Sequence, residues 1–152
     1  MAKVVILMGS KSDEKVMKRC ARGLDHFGIP YHMKILSAHR QPNETAKFAQ
    51  NAAKNGYEVI IAAAGMAAHL PGAVASQTTL PVIGVPLNTS ELNGLDSLLS
   101  IVQMPSGIPV ATVAVGGAGA HNAAVLAAQI LALKDDAIRR KLIDFKKRGA
   151  KF

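Results

Sequence analysis

Positive charge is missing from the middle of the chain, where residues 57–133 contain no Lys or Arg. The 152-residue chain has 18 Lys and Arg against 10 Asp and Glu, a formal charge of +8. Ten of the basic residues lie in residues 1–56 and eight in residues 134–152. Apart from Glu58, Glu91 and Asp96, this middle part is uncharged and rich in Ala, Val, Ile, Leu and Gly. The total length predicts one domain.

Other scarcities exclude whole classes of protein. Cys20 is the only cysteine, which excludes a disulfide scaffold and predicts a reducing compartment, the cytoplasm. Trp is absent and aromatic residues make up 4% of the chain, which argues against nucleic-acid binding despite the basic charge. Prolines interrupt the apolar middle before about 18 residues can run uninterrupted, so no transmembrane helix is expected. The start of the chain, residues 1–8, contains an apolar run that is too short for a signal peptide.

Short apolar runs alternate with helical patterns. Val4 to Met8 is fully apolar and ends at Gly9, as expected for a strand buried on both faces of a parallel sheet. A helical pattern follows and stops at Gly28, and similar units come after it. The predicted strands are residues 4–8, 31–36, 58–63, 81–85 and 110–115. The predicted helices are residues 12–27, 42–55, a short one from about 71, 95–103 and 118–133.

This alternation predicts an α/β fold: a three-layer α-β-α sandwich with a central parallel sheet, flavodoxin-like, in a single domain. Folds of this kind bind ligands outside the carboxyl ends of their strands. Function is therefore expected in the loops that follow the first three strands, at residues 9–13, 37–40 and 64–69.

The first loop, Gly9-Ser10-Lys11-Ser12-Asp13, resembles a phosphate cradle, because small residues let backbone N–H groups approach an anion at a helix N-terminus. It matches neither a Walker A loop nor the dinucleotide-binding glycine pattern. A plain helix cap is an equally good interpretation. Asp13 favours a ligand, since ribose hydroxyls are the usual partner of a carboxylate beside a phosphate site. Arg40 in the second loop can bind phosphate through two parallel hydrogen bonds.

His39 and His69 are the only side chains in these loops that titrate near neutral pH. A lone histidine is usually a structural hydrogen-bonding group, but here two lie in facing loops of small residues. We interpret His39 as catalytic and His69 as a binding or orienting group. A metal site is not expected, because no His or Cys pair has ligand spacing, and Cys20 is assigned to the core.

Four stretches together resemble a known family: residues 9–13, 37–42 (SAHRQP), 64–72 (AGMAAHLPG) and 94–105 (GLDSLLSIVQMP). They are similar to the class I 5-(carboxyamino)imidazole ribonucleotide mutases of purine biosynthesis, within the AIR carboxylase family. The similarity runs from residue 4 to about residue 133. Two positions depart from the usual pattern, which has Thr at Gln41 and often Trp at Glu14.

The resemblance implies a cofactor-free isomerase that moves a carboxylate from N5 to ring carbon C4 of an aminoimidazole ribonucleotide through transient CO₂. It implies that His39 shuttles the proton, while His69 and Leu70 line the carboxylate and CO₂ pocket. Ser10, Asp13 and Arg40 would bind the phosphoribosyl part. The remaining substrate-binding residues implied are Ser12, Ser37, Ala38, Ala64, Gly65 and Ala67.

The resemblance also implies a homo-octamer whose ligand is a small ribonucleotide, with neither nucleic acid nor membrane as a partner. The catalytic domain would be residues 1–133, and residues 134–152 a basic C-terminal helix or tail packed on the same domain. Two alternatives stay open. One is the class II carboxylase, which uses free CO₂ and differs in the loop that here reads Ala67 to Pro71. The other is a flavodoxin-like nucleotide- or flavin-binding module without catalysis.

Overall fold

The computed structural model describes all residues, 1–152, and forms five strands and six α-helices. The strands are β1 (Val4–Met8), β2 (Tyr31–Ile35), β3 (Val59–Gly65), β4 (Val82–Leu87) and β5 (Ala111–Thr112). The helices are α1 (Glu14–Phe27), α2 (Pro42–Asn51), α3 (Leu70–Ala75), α4 (Leu95–Val102), α5 (Gly117–Leu131) and α6 (Asp136–Lys147). None of these helices combines the length and apolar character that crossing a membrane requires.

All strands pair in parallel in the order β2-β1-β3-β4-β5, which confirms the predicted flavodoxin-like sandwich. The chain goes from β1 outward to β2 and then returns to the other side of β1 to form β3. The topological switch point therefore lies between the carboxyl ends of β1 and β3, with the loop that follows β2 on the other side of β1.

Two hydrophobic cores of unequal size flank the sheet. The strand residues Val4, Ile6 and Met8 face α1, α5 and α6 in a core of 25 buried residues. Val5 and Leu7 point the other way, as successive strand residues must, into a core of only 13 buried residues with α2, α3 and α4. A cleft lies in that second helical layer, beside the smaller core.

Helix boundaries follow local signals in the sequence. Gly28 adopts a left-handed conformation (φ 69°) and ends α1, while Pro42 occupies the first turn of α2. Asp135 caps α6 by accepting hydrogen bonds from the N–H groups of Ala137 and Ile138. The apolar side of α6 is buried in the larger core, so the basic C-terminal segment packs on the α/β unit.

The fifth strand is shorter than predicted. Residues 110–115 were expected to form it, but regular pairing covers only Ala111–Thr112. Val113 N–H donates to Gly84 O, and Gly116 N–H donates to Pro86 O. The chain thus advances three residues while β4 advances two, so the edge strand bulges and leaves the regular ladder.

Candidate active site

The loops after β1, β2 and β3 meet at the switch point, as the sequence predicts. Gly9 N–H donates to Ala63 O (3.2 Å), and Leu36 N–H donates to Met8 O (2.8 Å). The end of β1 is therefore bonded to the end of β2 on one side and to the end of β3 on the other. This places the loops beginning at Gly9, Ser37 and Met66 side by side along one edge of the sheet.

The loop after β1 is a short 3₁₀ turn, Lys11–Asp13, closed by a capping box. Ser10 N–H donates to Asp13 Oδ2 (3.1 Å), and Ser12 N–H donates to Ser10 Oγ (3.3 Å). The exposed hydroxyls of Ser10 and Ser12 lie 3.0 Å apart. Both hydroxyls are accessible to an anion, as the cradle interpretation requires.

Asp13 is more enclosed than the sequence suggests. It is only 5% exposed, and one carboxylate oxygen accepts the Ser10 N–H. Burial raises the pKa of Asp13, and the Ser10 hydrogen bond partly opposes that shift. Asp13 therefore holds the shape of the serine loop, with only a small part of the residue open to a ligand.

The loop after β2 carries His39 and Arg40 on a tight turn. Gln41 N–H donates to Ser37 O (2.8 Å), and Arg40 N–H donates to Ser37 Oγ (3.2 Å). Ala38 is buried, whereas His39 and Arg40 are exposed. The Arg40 guanidinium forms no ion pair within the chain, so it is free to bind an external anion.

The loop after β3 brings His69 to the start of α3. Ala64 and Leu70 are buried in the smaller core, while Ala67 and His69 are exposed. Met66 has a positive φ of 54°, which a side chain other than Gly adopts at a cost in free energy. Met66 directly follows β3, and His69, three residues later, stacks on His39.

The two histidines stack on one another. Their ring centroids are 5.1 Å apart and their planes are inclined by 17°. Neither imidazole forms a hydrogen bond with another protein group. All of their nitrogen atoms are therefore available to a ligand.

The histidine pair lies at a cleft of about 530 Å³ between α2, α3 and α4. Of the predicted site residues, it is lined by Ala38, His39, Ala67 and His69. The other predicted residues do not line this cleft: Ser10, Ser12, Asp13, Ser37, Arg40, Ala64, Gly65 and Leu70. The structure thus brings the histidines together at the cleft and leaves the predicted phosphate-binding groups on the neighbouring loops.

Most of the cleft wall was not predicted from the sequence. It comes from α2, α3 and α4 and from residues beside the ends of α3 and α4. These wall residues are Pro42, Thr45, Ala46, Ala68, Gly72, Ala73, Ser76, Gln77, Ser100 and Met104. One signal was present: the wall residues of α2 and α3 recur at helical spacing as small or weakly polar side chains, where a packed helix shows large apolar ones. Ser100 and Met104 lie within the fourth family-like stretch, to which no role was assigned.

The loop after β4 lies close to Gly65, at the end of β3. A Cβ at Gly65 would collide with the side chain of Thr89, so these two residues are in close contact. Thr89 follows β4 and is exposed beside the β3 loop. Glycine is needed here because of close approach, and Thr89 is a further neighbour of the site that sequence reasoning missed.

Comparison with known proteins identifies the family. The family model of AIR carboxylase matches residues 3–151, nearly the whole chain. This chain belongs to the AIR carboxylase family. The curated relatives from Thermotoga maritima and Haemophilus influenzae bear the name N5-carboxyaminoimidazole ribonucleotide mutase. They are 59% and 56% identical to this chain, covering 97% and 95% of it and 85% and 88% of their own lengths.

A solved structure supports the same assignment. The crystal structure of Treponema denticola PurE superposes with a TM-score of 0.86 at 31% sequence identity. The match covers 97% of this chain and 90% of that one. The AIR carboxylase fold therefore extends over nearly the whole chain, including the basic C-terminal helix.

Proposed function

We propose that this chain is a 5-(carboxyamino)imidazole ribonucleotide mutase of purine biosynthesis, acting in the cytoplasm. The observation that carries the proposal is the stacked pair of His39 and His69, whose ring nitrogens are unused by the protein. The relatives named as mutases are 53% to 60% identical to this chain over nearly its whole length. These relatives support the mutase rather than the free-CO₂ carboxylase or a non-catalytic flavin-binding module.

The proposed chemistry is an intramolecular transfer that needs one proton-transfer group. His39 in its protonated form donates a proton to N5 as the N5–carboxylate bond breaks and CO₂ departs. Ring carbon C4 then attacks CO₂, and neutral His39 removes the C4 proton to give the C4 carboxylate. Atoms and charge balance, and His39 returns to its starting state. General acid–base help of this kind contributes about 10²–10⁴-fold in rate.

His69 and the small residues around it would hold the migrating carboxylate and CO₂. Ala38 and Ala67 line the cleft beside the histidines, and buried Ala64 and Leu70 form the apolar layer beneath. Small, apolar walls suit a small, apolar intermediate.

The phosphoribosyl part would bind on the neighbouring loops. Arg40 supplies a charge with no internal partner, and Ser10 and Ser12 present exposed hydroxyls at the switch point. Asp13 would meet a ribose hydroxyl through its small accessible part, and Ser37 and Gly65 support the two flanking loops. We assign this apparatus to residues 1–133, with residues 134–152 stabilising the same domain.

We further propose that the working unit is a homo-octamer. The exposed face of α4 is unusually apolar, with Leu95 and Leu99 53–56% exposed and Val102 46% exposed. Leu92 in the preceding loop extends this face and is 61% exposed. Apolar patches of this kind mark protein–protein contacts.

Native mass spectrometry should give eight times the 15.9 kDa chain mass, and Leu99→Asp should reduce the mass of the assembly. Ile143→Asp, at an exposed apolar residue of α6, is the matched control.

The deciding experiment follows the N5-carboxylated ribonucleotide by ¹³C NMR with label in the carboxylate. We expect the label to appear at C4 in buffer purged of bicarbonate. Conversion that requires added bicarbonate would favour the carboxylase. Absence of any conversion, combined with a bound yellow cofactor, would favour the non-catalytic module.

A further inference from the structure

The position of the His39 imidazole depends on its backbone, because the ring has no hydrogen bond to any other protein group. Its only ring partner is the stacked imidazole of His69. A general acid–base group must nevertheless be held within a fraction of an ångström of its target. The contacts that fix the loop from Ser37 to Gln41 therefore decide how well His39 is placed.

The Thr45 hydroxyl contacts both ends of that loop. Its hydroxyl lies 2.8 Å from Gln41 O and 3.4 Å from Ser37 O, so its single hydrogen is shared between the last and first carbonyls of the loop. A threonine that only bonded back along its own helix would contact Gln41 O alone. The second acceptor, Ser37 O, lies outside the helix.

The surroundings of Thr45 make this contact persistent. Thr45 is 2% exposed, although it lines the cleft beside His39. Gln41 turns its side chain toward Ser37 N–H (3.4 Å) and forms no side-chain cap on α2. Two groups of Gln41, its backbone N–H and its side-chain oxygen, thus bond to Ser37, and the buried Thr45 hydroxyl bonds to the carbonyls of both residues.

We infer that Thr45 is a positioning residue, which sets the place of His39 by tying Ser37 O to Gln41 O. This inference rests on the proposed mutase function only for its kinetic consequence. The structural consequence, a displaced His39 ring, holds whatever the reaction. Arg40 is carried on the same loop but has a long, flexible side chain that can follow a phosphate, whereas an imidazole has no such reach.

The test is Thr45→Val, which keeps the branched shape and removes the hydroxyl. We expect kcat to fall roughly 10- to 100-fold, as small misplacements of catalytic groups do, with a much smaller change in KM. Thr45→Ser, which retains the hydroxyl, should restore most of the rate. Thr112→Val is the matched control, because it removes a partly buried hydroxyl-to-carbonyl bond (3.2 Å) on the edge strand.

A second readout does not depend on turnover. In protein labelled with ¹³C at the histidine rings, Thr45→Val should shift or broaden the His39 signals and leave those of His32 unchanged. Gln41→Ala, at an exposed residue, should affect the same signals if Thr45→Val folds poorly. Unchanged His39 signals, or a kcat within about twofold of wild type, would overturn the inference. A rate loss that Thr45→Ser fails to restore, or that Thr112→Val reproduces, would overturn it as well. Wild-type protein without mutase activity would refute the proposed function alone, and the NMR comparison would still decide the role of Thr45.

Discussion

The imidazoles of His39 and His69 come from different loops and stack with their centroids 5.1 Å apart. Each ring depends on its own strand: His39 follows β2, and His69 follows β3. These strands are not neighbours, because β1 lies between them. The pair therefore forms only when the parallel sheet is correctly assembled around β1.

Replacing His39 by Asn should separate binding from turnover. Asn retains polarity but cannot transfer a proton near neutral pH, so we expect kcat to fall by about 10²–10⁴-fold. Substrate affinity, measured by calorimetry with the inactive variant, should change far less. His32→Asn is the control, because His32 is exposed near the start of β2 and bonds to Tyr57. A His39→Asn enzyme near the wild-type rate would eliminate the proton-shuttle role.

Replacing His69 by Asn should weaken substrate binding more than it lowers kcat, the reverse of what we expect for His39→Asn. If His69 holds the migrating carboxylate, the main effect is on substrate affinity, which we expect to fall about 10-fold, or roughly 1.4 kcal/mol. The residual kcat should stay well above that of His39→Asn. Steady-state kinetics on both variants, measured in parallel, provides the comparison. Equal losses of kcat would indicate that the two imidazoles act as a single catalytic unit.

The contact between Gly65 and Thr89 gives a stability prediction. A methyl group at position 65 would overlap the Thr89 side chain, and overpacking of this kind costs about 1–3 kcal/mol. Thermal unfolding of Gly65→Ala should show this loss, and adding Thr89→Ala should recover part of it. Gly9→Ala is the control for stability, since its new Cβ would meet its nearest neighbour, Asp13 Oδ2, at an ordinary 3.8 Å. Independent effects of Gly65→Ala and Thr89→Ala would show that the two residues are not in contact.

The sheet was predictable because its strands carry strong local signals. Val4 to Met8 is apolar at every position and ends at a glycine, and all five residues are buried in the sheet. Residues 110–115 carry a similar signal but form only a two-residue strand. The bulge there depends on hydrogen bonds to Gly84 and Pro86, which belong to another strand and leave no trace in the local sequence.

The sequence predicts the loops that carry the two histidines, but it does not predict which helix residues form the wall of the cleft. The fold rule locates function at strand ends, and the histidines were found there because few other side chains in those loops can transfer a proton. The cleft wall formed by α2 and α3 depends on how two helices turn toward one another. Thr45 illustrates the difficulty, because its role follows from a carbonyl eight residues away that only the folded loop brings within reach.

A histidine beside the C-terminus should make the stability of the fold depend on pH. His121 on α5 stacks on Phe152, with ring centroids 4.6 Å apart. Burial lowers the pKa of His121, and the positive charges of Arg19 and Arg22 lower it further. The folded protein thus binds fewer protons than the unfolded chain between this lowered pKa and the ordinary histidine value of about 6.5.

Above the ordinary histidine pKa, His121 is neutral in both the folded and the unfolded protein, and the fold keeps its full free energy of unfolding. As the pH falls from there toward the lowered pKa of His121 in the folded protein, part of that free energy is lost, because the unfolded chain binds the proton more readily. His121→Gln should remove this loss, so its Tm should decline less than that of wild type between neutral pH and about pH 5. Phe152→Ala should raise the pKa of His121 toward the ordinary value, as measured by NMR titration, because it uncovers one face of the ring. Parallel Tm curves for wild type and His121→Gln would show that this histidine does not contribute to acid sensitivity.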